Sequence, residues 1–562
     1  MRNQSFTRPR RAARAGIAFA AAISLAAAGC SSSDTASGTD DVAAESDGQG
    51  SATPGASEYF GPADAGTPTD GGIVVMGIEG EPEQLDPSRT AFSSSGHYVA
   101  SAVYEPLVTL DENGDAVPYL LESIEPNEDA TVWTLKVRDG ITFHDGTPLD
   151  ADAVLRNLKN RQEAFVTSLS LKPVTSMEAV DDSTVEITLD RSWHEFPTIL
   201  TTQVGYMVQP DVLESSQAGP NPVGTGPFKF DEHVANERWT FTSYEDYWRT
   251  APNGDQLPYL DGIEFRPIPD DANRITALDD GTVNLMHTVS PEQVLQLEST
   301  DEFKVVTYSA GEENFMVMNM EKAPFDSLTA RQAVVYASDS QTWLDDISLG
   351  SGSIANSAFA PGQTGYLADN GYPAFDMAKA KELVAQYEAE SGEDFAFTYL
   401  TVNEPRNIRN AQYFQSLYEE AGMTVEIEAL PQISLVAKVA TGDYQASAFR
   451  NYGQPNPDTD VVFWSPESVI PGGISLNFAR ITDPELQELL NQAWAETDET
   501  KRNEIYQEVS RIWGEQLPYM WMGRLNWALA ANPVVNGIRA AENGSLQTLG
   551  PKTWLGDLWV TQ

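Results

Sequence analysis

The chain of 562 residues carries 34 Lys and Arg against 83 Asp and Glu, with five His and one Cys, for a net charge of −49. At roughly 100–200 residues per domain the length suits about three folding units, and 41% hydrophobic content with 12 Trp, 20 Tyr and 22 Phe excludes a mainly disordered chain. The acidity argues against a nucleic-acid binder, which needs a basic face, and a single Cys excludes an internal disulfide framework or a multi-thiolate metal site.

Residues 1–14 hold Arg2, Arg8, Arg10, Arg11 and Arg14 and no acid, and Ala15 to Ala28 is a small-apolar run. A basic start, a short apolar stretch and small residues at its end read as a secretory signal over 1–29, too short for a comfortable membrane span. The only Cys closes it, in Ala27-Ala28-Gly29-Cys30, which resembles a bacterial lipobox with Ala27 where Leu is usual. Cys30 is therefore expected to carry lipid and to anchor the body outside the cytoplasmic membrane. Removing the five arginines of 1–29 takes the net charge from −49 to −54, which favours solubility at the envelope. Residues 31–70 are Ser-, Thr-, Gly-, Ala- and Asp-rich, with only Val42, Tyr59 and Phe60 as sizeable apolar residues. Such a segment cannot bury a core and reads as a tether of about 35 Å reach.

From Gly72 the pattern changes. Strands are expected at Ile73–Met76, Thr131–Val137 and Thr184–Leu189, from short apolar runs or alternation. Helical periodicity begins at Asp150, Thr329, Asp376, Arg406, Asp483 and Lys501. In the unit from Asn407 to Leu430, the stripe Ile408, Ala411, Phe414, Leu417, Tyr418 and Ala421 is followed by a stop at Gly422 and a strand from Thr424. Interleaved helices and strands without a short repeat predict a mixed α/β protein.

Catalytic motifs are missing: there is no G-x-S-x-G, H-E-x-x-H or G-x-x-x-x-G-K-[ST] sequence. Gly224-Thr225-Gly226-Pro227 fails as a phosphate loop because Pro227 lacks an N–H and the spacing is wrong. Asp111, Asn113, Asp115 and Glu122 imitate a Ca²⁺ loop, but Ala116 replaces the required Gly, so a turn is the better reading. His97, His144, His194, His233 and His287 show no ligand spacing. No enzyme activity, cofactor or metal is expected.

The run Trp133-Thr134-Leu135-Lys136-Val137-Arg138-Asp139-Gly140 through Phe143-His144-Asp145-Gly146-Thr147-Pro148, followed by Asp150-Ala151-Asp152-Ala153-Val154, resembles the signature of peptide/nickel-type solute-binding proteins of ABC importers. Further landmarks keep family order: Tyr104-Glu105-Pro106, Val223-Gly224-Thr225-Gly226-Pro227-Phe228, Tyr244 to Trp248, Asn319, Pro324-Phe325-Asp326, Arg331-Gln332-Ala333 and the stretch Arg502 to Pro518. Within the signature, Asp145-Gly146 suits a turn carrying His144, and Asp150 suits a helix cap; the family's acid three residues on is Ala153 here, which removes the reciprocal half of a capping box. The resemblance implies a two-lobed, hinged periplasmic-binding-protein-like α/β fold with an extra subdomain inserted in lobe one. Lobe one would be 72–112, 206–306 and 520–562, the insertion 113–205 and lobe two 307–519, with hinge crossings near Tyr308 and Met520. The ligand would close the lobes, and the closed form would meet a permease whose ATPase subunits are separate chains. A monomer is the family default.

In peptide-binding relatives an Asp in a lobe-two loop grips the peptide ammonium. Registering on Asn456-Pro457-Asp458 places that acid at Gly453 and a usual Trp at Arg450. A buried ammonium without a carboxylate costs several kcal/mol, so either Asp458 or Asp460 substitutes or the ligand presents another group. Arg450 suits a carboxylate or phosphate, or pairs with a loop acid. The other expected ligand contacts are Ser94, Ser95, His97 and Tyr98 at the rim of lobe one, Arg406 after a strand end, Phe315, Asn451 and Tyr452; Trp239 and Trp464 are further candidates for apolar walls. The leading expectation is capture of di- or oligopeptides; a non-peptide solute such as an anionic small molecule, metal chelate or haem is the alternative on the same scaffold. A secreted hydrolase or a surface adhesin fits the residues less well.

Overall fold

The computed structural model describes residues 64–561, except 65, 112–113, 165–166, 216, 310–311, 452–455 and 539–553. The signal, Cys30 and nearly all of the expected tether lie outside the described residues, as do Tyr452 and Gly453.

Helix starts follow local chemistry. The Asp150 carboxylate accepts the Ala153 N–H at 2.9 Å and caps Ala151–Glu163, whose first turn carries Asp152 toward the positive helix end. Ser327, Asp376 and Asp483 cap Leu328–Ala337, Met377–Ser391 and Pro484–Ala495 in the same way. The helix expected from Lys501 begins earlier, at Glu499, because Asp498 accepts the Lys501 N–H at 3.1 Å. Pro405–Ala421 buries Ala411, Phe414, Tyr418 and Ala421, ends at Gly422 with φ of 104°, and passes into strand Thr424–Leu430.

Three larger sheets organise the body. The first has seven strands in the order Lys304–Ser309, Asn526–Ala531, Leu285–Thr288, Ile73–Ile78, Gly262–Pro267, Arg238–Ser243 and Phe228–Val234. Ile73–Ile78 runs parallel to both of its neighbours. The second has five strands in the order Thr424–Leu430, Ala396–Val402, Ala446–Asn451, Glu313–Met318 and Tyr519–Gly523, the first three parallel. Its Met316, Met318 and Tyr399 face the helices Leu328–Ala337, Met377–Ser391 and Pro405–Ala421, while Phe315, Val317 and Leu400 face Gln432–Ala440, Pro484–Ala495 and Glu499–Gln516. A four-stranded antiparallel sheet, Leu121–Pro126, Val132–Val137, Thr184–Leu189 and Val174–Asp181, comes from one continuous segment between strands of the first sheet. These are two sheet-centred lobes with an inserted subdomain.

The chain passes between the lobes twice. The first crossing follows Ser309 and enters the strand that starts at Glu313. The second was expected at Met520, but Met520 lies inside strand Tyr519–Gly523, which pairs with Glu313–Met318, so the crossing falls between Gly523 and Asn526. Trp521 and Met522 are buried in the second lobe, and this burial carries the strand past the boundary expected at Met520.

Several motifs of the signature meet at one carboxylate. Glu105 is fully buried and accepts hydrogen bonds from Tyr119 OH at 2.9 Å, Tyr247 OH at 2.6 Å, Trp248 Nε1 at 3.0 Å and Thr225 Oγ1 at 2.9 Å. Burial pushes its pKa up and the four donors pull it back, with burial prevailing. Gly224 and Gly226 are close-packing residues: a Cβ on Gly226 would stand 2.7 Å from the Ala102 carbonyl oxygen, and one on Gly224 would overlap that of Val103. His144 Nε2 donates to the Gly226 carbonyl at 2.9 Å, and burial lowers its pKa to about 4 although that bond raises it, so the ring is neutral at pH 7. The signature thus fastens the inserted subdomain to lobe one. Replacing Glu105 by Gln should cost about 2–4 kcal/mol in urea unfolding, because at least one buried donor loses its acceptor, whereas Tyr119→Phe should cost only about 1 kcal/mol.

Candidate functional site

Carboxyl ends of the parallel strands in both lobes converge on the crevice at the crossings, the position where open α/β sheets meet ligands. Ile73–Ile78 delivers Glu79, Leu285–Thr288 holds His287, Ala396–Val402 leads to Arg406 and Ala446–Asn451 carries Arg450 near its end. The antiparallel partners bring in Trp527, Tyr308 and Glu312 at the same level, with Tyr308 opposite Trp527 and Arg450 opposite Asn314.

Their side chains form one charged cluster. The Arg450 guanidinium lies 3.8 Å from Glu79 and 3.8 Å from Glu312, and 5.6 Å from the centre of the Trp527 ring. Trp527 Nε1 donates to Glu312 at 3.2 Å. The Glu79 N–H donates to His287 Nε2 at 3.4 Å and the Gly80 N–H to Ser95 Oγ at 3.2 Å. The His287 ring lies between Tyr98, at 4.7 Å, and Trp527, stacked at 5.6 Å with an interplanar angle of 2°. Tyr98 OH and Tyr308 OH are 3.5 Å apart. Arg274 stands behind, fully buried, donating to the carbonyls of His287 and Ile268 and to Asp271. Arg406 Nη1 is buried without a hydrogen-bond partner.

The electrostatics are coupled. Burial alone would raise the Glu79 pKa, but Arg450, then His287, Arg406 and Arg274, outweigh it and hold the carboxyl at about 2. Burial lowers His287 to about 3, against the pull of Glu79, so its imidazole is neutral and Nε2, which accepts from Glu79, leaves the proton on Nδ1. Glu312 is raised: burial and the Glu79 charge oppose ionisation more than Arg450, Arg406 and Asn314 favour it. Two guanidiniums, Arg406 and Arg450, therefore face two carboxyls, one firmly ionised and one easily protonated.

The structure brings Ser95, Tyr98, Arg406 and Arg450 together here. Ser94 is buried in the first turn of helix Ser94–Val103. His97 points elsewhere, its Nδ1 3.2 Å from Tyr206 OH and its ring against Phe92; burial lowers its pKa to about 4. Phe315 packs among Phe449, Tyr519 and Trp521 in the sheet interior. Trp239 and Trp464 are core rings, Trp239 stacked on His233 and Trp464 against Phe359 and Trp513. Asn451 ends its strand opposite Glu313, on the same face as Phe315. The sequence reading passed over Glu79, His287, Glu312 and Trp527; their one signal, position at strand ends, needs the sheet order to be read.

Asp458 does not replace the missing anchor. Its carboxylate accepts from Trp193 Nε1 at 2.8 Å, from Arg502 at 2.6 Å and from Tyr506 OH, and it is fully buried. Trp193 belongs to the inserted subdomain and stacks on Trp494 at 4.8 Å. Asn456 donates to Glu195 at 2.7 Å and Arg191 reaches Glu467 at 3.2 Å across the same seam. Asp458 thus joins the subdomain to lobe two, and its capacity for a ligand is already used.

A sequence match to the bacterial extracellular solute-binding proteins, family 5 Middle, spans residues 115–469. The chain belongs to this family. It is a solute-binding protein of the ABC-importer type and not an enzyme. The probable D,D-dipeptide-binding periplasmic protein DdpA of Escherichia coli is 26% identical over 501 residues, covering 85% of this chain and 93% of that one. The glutathione-binding protein GsiB of Pectobacterium atrosepticum is 26% identical, covering 79% and 87%. Among solved structures, the binding protein AgaA of A. tumefaciens in complex with agropinic acid has a TM-score of 0.78 at 24% identity, covering 87% and 99%. The oligopeptide-binding protein AppA of Bacillus subtilis in complex with a nonapeptide has a TM-score of 0.77 at 22% identity, covering 88% and 100%. These likenesses establish the two-lobed fold. No helix of the described residues is long and apolar enough to cross a membrane.

For this family 5 protein, Asp458→Asn should cost about 3–5 kcal/mol in denaturant unfolding, since Arg502 is left buried without its counter-charge. Arg191→Ala, at a partly exposed pair on the same seam, should cost less than about 1 kcal/mol.

Proposed function

We propose that this protein is the lipid-anchored receptor of an ABC importer, that it captures short peptides between its lobes, and that the closed form delivers them to a membrane permease. The observation that carries the peptide reading is the charge balance in the crevice. Arg406, with its buried and unpartnered Nη1, and Arg450 face Glu79 and Glu312. A zwitterion adds one charge of each sign and leaves the cluster neutral, with its carboxylate on Arg406 and its ammonium on Glu312. Glu312 in this role stands in for the Asp that peptide-binding relatives carry where this chain has Gly453. With both carboxyls ionised, as a bound ammonium would keep Glu312, these four side chains offer an anionic ligand no excess of guanidiniums.

The names of DdpA, GsiB and AppA, which speak of a dipeptide, glutathione and an oligopeptide, support the same class of ligand. The moving bodies in this reading are the seven-stranded lobe with the inserted segment 113–205 and the five-stranded lobe, turning about the crossings at 309–313 and 523–526. A ligand that touches both lobes favours the closed state by its differential affinity for it. Ala27-Ala28-Gly29-Cys30 supplies the anchor by resemblance to a lipobox.

Titration calorimetry of unblocked di- and tripeptides should show binding that weakens at least about tenfold on N-acetylation and again on C-amidation, since each change strands a buried charge. Equal affinity for free and blocked peptides contradicts the assignment. For the anchor, Cys30→Ser should move the protein from the membrane fraction to the medium and abolish incorporation of labelled palmitate; retention at the membrane with label would contradict it.

A further inference from the structure

The inserted subdomain continues into lobe one at both of its chain ends. Buried bonds add to that connection: Asn157 exchanges two hydrogen bonds with the Val208 backbone, and the His144 N–H donates to the Gly224 carbonyl at 2.9 Å. The subdomain therefore travels with lobe one, and lobes that part about the two crossings must break its contacts with lobe two. At that seam Trp193 Nε1 donates to Asp458 at 2.8 Å, and its ring stacks on Trp494 at 4.8 Å with an interplanar angle of 21°. The His194 N–H donates to the Trp494 carbonyl at 2.9 Å, and Asn456 donates to Glu195 at 2.7 Å. Lys172 Nζ reaches the Glu467 carbonyl at 2.7 Å and Arg191 its carboxylate at 3.2 Å.

Each charged group of lobe two at this seam also has partners within its own half. If the seam parts, Asp458 keeps Arg502 and Tyr506, Asn456 keeps Arg502 at 2.8 Å, and on the other side Arg191 keeps Asp190 at 2.7 Å. Trp193 Nε1 and Glu195 lose their protein partners and meet water instead. The fit is looser than in a core. A cavity of about 20 Å³ lies in the seam, lined by Leu169, Pro173 and Trp193 on one side and by Val461, Val462 and Trp494 on the other. Trp494 Nε1 is buried beside it without a hydrogen-bond partner. Such a contact closes and parts without stranding a buried charge, a property that a permanent interface does not need.

We propose that this seam is a clasp that holds the lobes closed before a ligand arrives, with Trp193 as its central positioning residue. None of its side chains belongs to the charged cluster of the crevice, where the interlobe ion pair of Arg450 and Glu79 is longer, at 3.8 Å. A clasp acts on ligand capture without touching the ligand. It raises the apparent affinity, because the tight-binding closed form is populated in advance, and it slows entry, because the ligand waits for the seam to part. The inference rests on the lobe motion of the proposed function and not on which solute the crevice takes.

The test is a distance measurement across the seam by double electron–electron resonance, on the full chain with Cys30→Ser and spin labels at Glu178→Cys and Gln492→Cys, both exposed positions. The protein is dialysed until native mass spectrometry shows it empty, and amide exchange at His194 is followed in parallel. With the seam intact, the expected distribution is dominated by the separation found in this structure. Trp193→Phe keeps a ring against Trp494 and loses the bond to Asp458, whereas Trp193→Ala loses both. The closed distance should therefore fall stepwise through the two variants, with the closed-to-open ratio lowered roughly tenfold in Trp193→Ala and His194 exchange faster by a similar factor. A longer distance in the empty protein with its seam intact overturns the clasp and leaves ligand-driven closure standing. So does a closed distance that neither variant changes. A His194 N–H that exchanges as slowly as the core amides of strand Ile73–Ile78 shows no opening short of unfolding, and the lobe motion then fails together with the clasp. Should Trp193→Ala not fold, the intact seam and Trp193→Phe decide the matter.

Discussion

Opposite charges partly withdrawn from water at the ends of two sets of parallel strands are the constraint on which this site depends. Arg450 lies at 3.8 Å from both Glu79 and Glu312, too far for good hydrogen bonds and close enough to hold Glu79 ionised. A partly buried ion cluster contributes little to stability, because desolvation offsets most of the attraction. In the proposed function its value is as a preorganised field that an incoming zwitterion would complete. The rest of the crevice serves to fix it: His287 is kept neutral by burial and clamped between Tyr98 and Trp527, so it holds the Glu79 backbone without adding a charge.

Around that field the protein uses two kinds of seam. Toward lobe one the inserted subdomain is tied by the Glu105 network, the close glycine packing at Gly224 and Gly226, and Asn157, which exchanges hydrogen bonds with the Val208 backbone. Toward lobe two it is tied by Trp193, Glu195 and Arg191 against Asp458, Asn456 and Glu467. The first seam centres on the fully buried Glu105 and Asn157, whereas the second also includes one partly exposed ion pair, Arg191–Glu467. Such a partly exposed pair costs less to break than a buried one, which suits the hinge opening of the proposed function.

What the sequence made legible was local. Asp150, Asp376 and Asp483 announced helix starts because a cap acts within three residues, and Gly422 announced a stop because its left-handed conformation suits glycine. Arg406 and Arg450 could be found as residues near strand ends. Glu79, His287, Glu312 and Trp527 could not, because each alone reads as an ordinary polar or aromatic residue and only the sheet order places them together. Asp458 was misread for the matching reason: a carboxylate in the right loop looks available until Trp193, from another sheet, is seen to occupy it. The crossing expected near Met520 from the family landmarks falls later, because buried Trp521 and Met522 carry the strand on.

The most direct measurement is native mass spectrometry of the protein purified without refolding, with the ligand then released by mild denaturation and identified. The account predicts a released zwitterion carrying a free amino group and a free carboxylate, of peptide size. Release of a purely anionic molecule, a haem or a metal chelate would contradict it, because none of these completes a cluster of two guanidiniums and two carboxyls.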